Sequence, residues 1–565
     1  MPYCNKPNIN ILTSLLIQHG VKHAVVCPGS RNAAIVHNLY TAPNMHTVAV
    51  TDERSAAFYA LGMAQATESA VAVCVTSGSA LHNAIPAVAE AHYRHVPLVV
   101  ISADRPQAWI DQYDGQTAQQ PGALGNLVAR CVQLPEPTNE EEHWYCNRLV
   151  NEALLATRTN GGAPVHINVP VSEPLFNFSV AELPQERCIT EITPPTNYIH
   201  WAQQVAQRMA QAKRPLIVYG RDCRHRGITA VMEQIERKVT MLHEALCEHH
   251  DITPFDLILR GEKTTVLPPP DFVLHIGDTI VSKLLKKWIR TSEAEVWQVD
   301  AGNGIHDLLM HLTHRINGGT ADVLPALDKA LNEVELSIEA REYHTQWQHH
   351  IQRARTLTDD YQPPFSQMAV VKYFEEQLDD MFYEWQVHYA NSSAVRLANL
   401  FAAHYVWCNR GINGIEGSLS TAAGHSAVTD EKVFCIIGDL SFFYDQNALW
   451  NQQLRGNLRI VLLNNGKGGI FDTLPHLDES PAAQQYVAAS HHTTAQGICT
   501  QNDIGYLKAH NMEEMQNGIV TLMTADTQRP MLIEVFTDSE ADQKAMQQLY
   551  RQWLNLQQNH NKTIQ

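Results

Sequence analysis

The feature that most limits the possible folds of this chain is a recurring pattern. A short, β-branched apolar run ends at a Gly or Asp turn and leads into a helix-like stretch. Continuous apolar strands are typical of parallel sheets buried on both faces, and their alternation with helices indicates βαβ units. The sequence therefore predicts α/β domains with doubly wound parallel sheets. The predicted strand regions are 21–30, 71–78, 96–104, 214–221, 272–278, 433–439, 458–465 and 531–536.

The length of the chain predicts several such domains, since 565 residues exceed one domain of about 150 residues. Two stretches, 189–198 and 359–366, combine prolines with polar residues, a composition typical of linkers. We therefore predict domains over residues 1–190, 191–360 and 361–565.

Charge and composition argue against several classes of protein. The chain has 59 acidic and 41 basic residues, and a net charge of −18 is unfavourable for a general nucleic-acid binder. No apolar run reaches the roughly 18 residues of a membrane span, and the first residues lack a signal-peptide pattern. The 11 cysteines are scattered without a CxxC pair, so we expect reduced thiols in a cytoplasmic protein.

The 29 histidines include three adjacent pairs, but none of them has the spacing of a zinc site. We interpret these pairs as surface or core histidines. The pairs are His249–His250, His349–His350 and His491–His492.

The polar residues of the segment 438–471 carry the strongest functional signal. Asp439 ends one predicted strand, and Asn465 ends the next strand, 26 positions later, before a Gly-rich turn. The carboxyl ends of parallel strands meet at one sheet edge, where ligands bind. Asp439, Asn465 and the Lys467 carbonyl supply three oxygens for a hard cation such as Mg²⁺, which diphosphate oxygens and water would complete. Two ordinary turns with capping Asp and Asn residues are the alternative.

This spacing resembles the signature of thiamine-diphosphate enzymes, in which Gly-Asp precedes Asn-Asn by about 25 residues. The resemblance implies a metal-bridged diphosphate in the last domain and a glutamate in the first domain that faces the aminopyrimidine ring. The matching residue is Glu53, at a predicted strand-to-helix turn. A carboxylic acid there promotes the intramolecular proton transfer that activates the cofactor. A solvated carboxylate beside Arg54 is the alternative.

Further motifs make the chain similar to the 2-succinyl-5-enolpyruvyl-6-hydroxy-3-cyclohexene-1-carboxylate synthase family of menaquinone biosynthesis. The first and last thirds match well, and the middle third matches weakly, through residues 277–288. The resemblance implies three doubly wound domains of the thiamine-diphosphate decarboxylase type, a homodimer or homotetramer, and thiamine diphosphate with Mg²⁺ or Mn²⁺ as cofactors. The motifs are CPGSRNAA (27–34), TSGSALHN (76–83), ADRP (103–106), GQTAQQPG (115–122), NSSAVR (391–396), CNRGINGIEGSLSTAAG (408–424) and NNGKGGIF (464–471).

The family's substrates, 2-oxoglutarate and isochorismate, each carry two carboxylates, and forked guanidinium donors suit such anions in an acidic protein. The residues implied to contact isochorismate are Ser30, Arg31, Arg105, Gln116 and Lys283. Those implied to contact the succinyl donor or the acceptor are Ser392, Arg396 and Arg410. The implied apolar contacts are Ile415, which supports the bent cofactor, and Ile470, Phe471 and Leu474, which line the acceptor pocket. Ile470 is also implied to contact the cofactor. Surface ion pairs and ordinary core packing are the alternatives.

Two positions depart from the family pattern. Leu284 follows Lys283 where a basic residue is common, and Lys467 stands where glycine is common, so a positive φ at Lys467 would be costly.

Two other functions stay open. One is a different thiamine-diphosphate lyase, such as an acetolactate synthase, in which the arginine set would lack a purpose. The other is a non-catalytic nucleotide-binding protein on the same fold.

Overall fold

The structure is a computed structural model that describes residues 1–192, 197–223, 227–248, 251–260, 267–302, 304–378, 381–474, 476–477 and 479–564. His249–His250 and part of the predicted linker at 189–198 lie outside these residues. Within them the chain forms three parallel sheets of six, five and five strands and one two-stranded antiparallel sheet.

The first parallel sheet lies in the N-terminal third of the chain. The strands of this region are β1 (Tyr3–Cys4), β2 (His23–Val26), β3 (His46–Ala49), β4 (Val71–Val75), β5 (Leu98–Asp104), β6 (Arg130–Gln133), β7 (Val165–Pro170) and β8 (Phe178–Val180). The helices are α1 (Pro7–Gln18), α2 (Ala33–Thr41), α3 (Glu53–Thr67), α4 (Ser79–Asn83), α5 (Ile85–Tyr93) and α6 (Glu140–Ala156). The strand order is β3-β2-β4-β5-β7-β6, and β1 pairs with β8 in the antiparallel sheet.

The second parallel sheet lies in the middle third of the chain. Its strands are β9 (Pro215–Tyr219), β10 (Thr240–His243), β11 (Phe272–Ile276), β12 (Glu295–Asp300) and β13 (Leu312–Asn317). The strand order is β10-β9-β11-β12-β13. The helices of this region are α7 (Ile199–Gln211), α8 (Thr229–Glu236), α9 (Phe255–Leu259), α10 (Lys283–Arg290), α11 (Thr320–Leu331) and α12 (Ile338–Asp360).

The third sheet carries the segment with the strongest functional signal. Its strands are β14 (Trp385–Tyr389), β15 (Lys432–Gly438), β16 (Leu458–Asn464), β17 (Gly505–Ala509) and β18 (Met531–Phe536). The helices are α13 (Gln367–Leu378), α14 (Ser393–Phe401), α15 (Ser418–Ala427), α16 (Asp439–Tyr444), α17 (Gln496–Gln501), α18 (Met512–Thr524) and α19 (Ser539–Ile564). The strand order is β14-β15-β16-β18-β17.

Each parallel sheet is buried on both faces, because neighbouring residues of one strand enter different apolar clusters. In β4, Val73 packs in one cluster and Ala72 in another. In β15, Phe434 likewise packs in one apolar cluster and Cys435 in another. Every predicted apolar run contains a strand, so the predicted doubly wound α/β fold is confirmed.

The 11 cysteines are all free thiols, and most are buried. Burial raises the pKa of the Cys74 thiol to about 12, so this side chain is an unreactive packing group. None of the described helices combines the length and apolar character needed to cross a membrane.

Helices α3 and α15 join the first sheet to the third through a close contact of their backbones. A Cβ atom on Gly62 would lie 2.0 Å from the Thr421 carbonyl oxygen, and one on Gly424 would lie 2.1 Å from the Tyr59 carbonyl oxygen. Real Cβ atoms do not approach backbone this closely, so the crossing requires glycine on both helices.

We expect Gly62→Ala to destabilise the protein by about 2 kcal/mol, because overpacking against backbone outweighs the gain in helix propensity. The measurement is the midpoint of denaturant unfolding. Gly497→Ala is the matched control, since its added Cβ would meet no atom within 4 Å. Equal midpoints for Gly62→Ala and the unaltered protein would contradict the interpretation of this crossing.

Candidate active site

Asp439 lies where the tip of β15 meets the tip of β16. The parallel register sets Gly438 opposite Leu463, so the residues that follow the two strands come together. Asp439 Oδ2 accepts hydrogen bonds from the backbone N–H groups of Asn465 (3.1 Å) and Gly466 (2.8 Å). The N-cap of α16 is Gly438. The carboxylate of Asp439 therefore ties two strand ends together, which the capping alternative did not predict.

Burial raises the pKa of Asp439, although backbone hydrogen bonds and the nearby His491 oppose this shift. His491 Nε2 lies 3.5 Å from Asp439 Oδ2. The carboxylate is 4% exposed, so a cation bound here would be attracted by a charge that water screens poorly.

Asn465 is held by a second carboxylate on its other side. Its amide Nδ2 donates to Asp542 Oδ2 at 3.1 Å. No described residue donates a hydrogen bond to its Oδ1. Asp542 also accepts from the Gln367 backbone N–H (2.7 Å) and the Thr537 hydroxyl (3.3 Å). Burial raises the pKa of Asp542 to about 6.

The turn after β16 takes its left-handed conformation at Gly466, where φ is 74°, and not at Lys467. Lys467 therefore does not have the positive φ that would be costly for a lysine at a position where the family commonly has glycine. The Lys467 ammonium pairs with Asp472 at 2.7 Å. The turn is held by hydrogen bonds from His491 N to Gly466 O (2.8 Å) and from Gly468 N to Ala488 O (2.7 Å).

These groups fit a hard divalent cation that carries a diphosphate. One carboxylate and one amide oxygen are too few for a cation held by protein alone, but they suit one whose other ligands are phosphate oxygens and water. In the described residues no cluster of three or more His, Cys, Asp or Glu side chains is placed to hold a metal. The oxygens of Asp439 and Asn465 are therefore a candidate pair of ligands for such a cation.

Glu53 is the first residue of α3, and its side chain is not used for helix capping. Asp52 is the N-cap, and its carboxylate accepts from Arg54 N and Ser55 N. Glu53 Oε2 instead accepts from Asn83 Nδ2 at 3.2 Å. The Arg54 guanidinium donates to the Tyr444 carbonyl at 2.9 Å and lies over the Tyr444 ring. Glu53 is half-buried, so the alternative of a solvated carboxylate beside Arg54 stays open, and its role toward the cofactor stays a prediction.

A cavity of about 620 Å³ lies between α9, α10, α14, α19 and the turn after β16. It joins predicted residues from the second and third sheets, namely Lys283, Arg396, Asn465, Ile470 and Leu474. Arg260 also lines the cavity and lies 4.2 Å from the centre of the Tyr550 ring. Lys286 donates to the Ile280 carbonyl (2.8 Å).

Arg396 and Arg410 repel each other. Burial, and then the charge of Arg410, lowers the pKa of Arg396. Arg410 is 9% exposed, and its Nη1 donates to the Asn391 amide oxygen at 3.0 Å. Its Nε is buried without a hydrogen-bond partner. Within the described chain neither arginine forms an ion pair, so an anion would relieve their repulsion and satisfy an orphaned donor.

The predicted residues of the first sheet form a separate group, which does not line this cavity. Arg31 donates to the Val171 carbonyl at 2.9 Å and lies 3.2 Å from Glu173. Arg105 pairs with Asp114 at 2.8 Å. Ser30 and Gln116 are exposed. Since both arginines have acidic partners, ion pairing remains an alternative, and their contact with substrate stays a prediction.

Three other predicted residues lie near strand or helix ends of the third sheet. Ser392 is the N-cap of α14 with φ at 73°, an uncommon conformation for serine. Ile415 is 41% exposed, and Phe471 belongs to a 3₁₀ helix over Gly469–Thr473. Their predicted contacts with cofactor or substrate stay predictions.

Four features of the site were not predicted from the sequence, namely Asp542, Asn83, Arg260 and the position of His491. Each reaches the site from a segment distant in sequence, and none belongs to the strand-tip pattern that identified Asp439. His491 was counted among surface or core histidines, whereas it lies against Asp439.

Residues 9–123 match the family model described as "Thiamine pyrophosphate enzyme, N-terminal TPP binding domain". Together with the three parallel sheets and the paired strand tips, this match defines the protein as a thiamine-diphosphate-dependent enzyme.

Curated relatives then identify the family. The chain is 40% identical over 566 residues to the 2-succinyl-5-enolpyruvyl-6-hydroxy-3-cyclohexene-1-carboxylate synthase of Bacteroides thetaiotaomicron, covering 97% of this chain and 99% of the relative. It is 40% identical over 565 residues to that of Phocaeicola vulgatus (97% and 98%). It is 39% identical over 573 residues to that of Bacteroides fragilis (98% and 100%). The chain belongs to this synthase family, so the resemblance found in the motifs is confirmed.

Proposed function

We propose that the protein decarboxylates 2-oxoglutarate and joins the remaining succinyl unit to isochorismate, giving 2-succinyl-5-enolpyruvyl-6-hydroxy-3-cyclohexene-1-carboxylate and carbon dioxide in menaquinone biosynthesis. The observation that carries this proposal is a single cavity lined by the cations Lys283 and Arg396 and by Asn465, a residue of the proposed diphosphate site. A donor with two carboxylates suits such a cavity better than pyruvate does.

Thiamine diphosphate supplies, when bound, the electron sink that lets a 2-oxo acid lose carbon dioxide. Asp439, Asn465 and the Lys467 carbonyl would hold the Mg²⁺ or Mn²⁺ ion that carries its diphosphate, since both ions prefer hard oxygens. Glu53 would be the carboxyl group that exchanges a proton with the aminopyrimidine ring. Asn83 fixes the orientation of this carboxyl group through its hydrogen bond to Oε2.

The cationic residues orient two substrates that repel each other. Arg396 and Arg410 bind the carboxylates of the donor, and Lys283 binds a carboxylate of the acceptor. Ile470, Phe471 and Leu474 form the apolar walls that exclude water. Correct placement of both substrates removes much of the entropic cost of forming a carbon–carbon bond.

We infer that the active site forms between subunits of a homodimer or homotetramer. Residues Ser30, Arg31, Glu53, Arg105 and Gln116 do not line the cavity that contains Lys283 and Arg396 in the same chain. A second copy would bring its own first-sheet residues to that cavity.

We also propose that the protein works in the cytoplasm, since free thiols are typical of a reducing compartment.

The proposed domains are 1–190 for the pyrimidine, 191–360 for structure and 361–565 for the diphosphate. The three parallel sheets fall within these limits, with strands at His23–Val26 to Val165–Pro170, Pro215–Tyr219 to Leu312–Asn317, and Trp385–Tyr389 to Met531–Phe536.

The test is mass spectrometry of the products formed from 2-oxoglutarate and isochorismate with thiamine diphosphate and Mg²⁺. We expect one condensation product and one equivalent of carbon dioxide, with pyruvate a poor donor. Preferred release of carbon dioxide from pyruvate would instead support an acetolactate-synthase-like enzyme. Calorimetry without metal-dependent binding of thiamine diphosphate would support the non-catalytic alternative.

A further inference from the structure

The amide of Asn465 must face in one direction to serve a cation. An amide side chain has an acceptor oxygen on one side and an NH₂ donor on the other, and only the oxygen can be a ligand. The backbone N–H of Asn465 already donates to Asp439. Which end of its side chain faces the diphosphate site therefore depends on the partner on the opposite side.

That partner is Asp542, in the first turns of α19, 77 residues further along the chain. Its Oδ2 accepts from Asn465 Nδ2 at 3.1 Å, and its Oδ1 accepts from Gln367 N at 2.7 Å. The latter donor is a backbone group at the start of α13, so it fixes the carboxylate in place. Oδ2 also accepts from the Thr537 hydroxyl at 3.3 Å. Because both carboxylate oxygens are acceptors, Asp542 can hydrogen-bond the Asn465 side chain only when Asn465 presents its NH₂ group.

We propose that Asp542 is a positioning residue, which orients the Asn465 amide so that its oxygen faces the cation of the diphosphate site. This inference rests on the proposed function, because it requires that Asn465 is a metal ligand. Outer partners of this kind fix the orientation of metal ligands and contribute to the affinity for the metal.

The isosteric variant Asp542→Asn has a defined consequence. Asn at this position has one accepting oxygen, and the fixed Gln367 N–H requires it. The new NH₂ group then faces Asn465, whose amide must turn and present its own NH₂ group to the cation. We expect the apparent Kd for thiamine diphosphate at fixed Mg²⁺, measured by calorimetry, to rise about 10–100-fold. The midpoint of thermal unfolding without ligands shows whether the variant is folded.

A swapped pair separates positioning from a merely structural role. In an Asn465→Asp background, the carboxylate at 465 can accept from the amide of Asp542→Asn and still offer an oxygen to the cation. We expect Asp542→Asn to be harmless or favourable for cofactor binding in that background. The same loss in both backgrounds would overturn the proposal and assign Asp542 to packing alone.

Asp538→Asn is the matched control on the same helix. Asp538 is exposed and caps α19 by accepting from Glu540 N and Ala541 N, a role that Asn fills equally well. We expect unchanged cofactor binding. If Asp542→Asn also leaves binding unchanged while the unaltered protein binds, the positioning role is wrong and the proposed function stands. If the unaltered protein shows no metal-dependent binding, both are overturned.

Discussion

Glu53→Gln is expected to lower turnover by about 10²–10⁴-fold, the usual contribution of a positioned acid or base. Glutamine has the shape of glutamate and can still accept from Asn83 Nδ2, which now reaches Glu53 Oε2 at 3.2 Å. It has no acidic proton to exchange with the aminopyrimidine ring. Steady-state release of carbon dioxide from 2-oxoglutarate measures the loss.

Glu68→Gln is the control for this prediction, because Glu68 is an exposed carboxylate at the opposite end of the same helix. We expect normal turnover from the control. Both variants should bind thiamine diphosphate with Mg²⁺ and unfold at the temperature of the unaltered protein. Near-normal turnover of Glu53→Gln would rule out the proton-exchange role.

Asp439→Asn is expected to weaken metal-dependent binding of thiamine diphosphate by about 100-fold or more, since loss of an outer partner alone costs 10–100-fold. The substitution removes the buried charge that attracts the cation. It also leaves one oxygen for the N–H groups of Leu440, Asn465 and Gly466, which the two carboxylate oxygens now share. Calorimetric titration of the cofactor at fixed Mg²⁺ provides the measurement.

Asp430→Asn removes one negative charge at the amino end of β15, the end opposite Asp439. Asp430 is 98% exposed and pairs with Arg455, and exposed pairs contribute little to stability. We expect this control to bind cofactor normally. An equal loss in both variants would mean that general charge, and not a ligand at the strand tip, governs binding.

The fold was predictable because parallel strands buried on both faces are continuous apolar runs. Strands with mixed composition were missed, such as β13, which carries exposed His314 and Thr313. The sequence RCVQ of β6 has a single buried residue, Val132, and gives no continuous apolar run. Such strands depend on their neighbours in the sheet, which local patterns do not encode.

The candidate site was predictable where one motif sets both position and register. Asp439 and Asn465 each follow a strand, and parallel pairing brings them together. Asp542 was not predictable, because its contact with Asn465 depends on how α19 packs against α13 and the third sheet. Arg260 depends in the same way on the packing of α9. Sequence spacing carries no information about contacts of this kind.

The close crossing of α3 and α15 at Gly62 and Gly424 limits which segments can be exchanged between related enzymes. No side chain separates the two backbones, so neither helix can adjust to a bulkier partner. A chimaera that combines the first sheet of one relative with the third sheet of another takes the two sides of this contact from different parents. Such a chimaera is expected to lose stability unless each parent has glycine at its own position of the crossing.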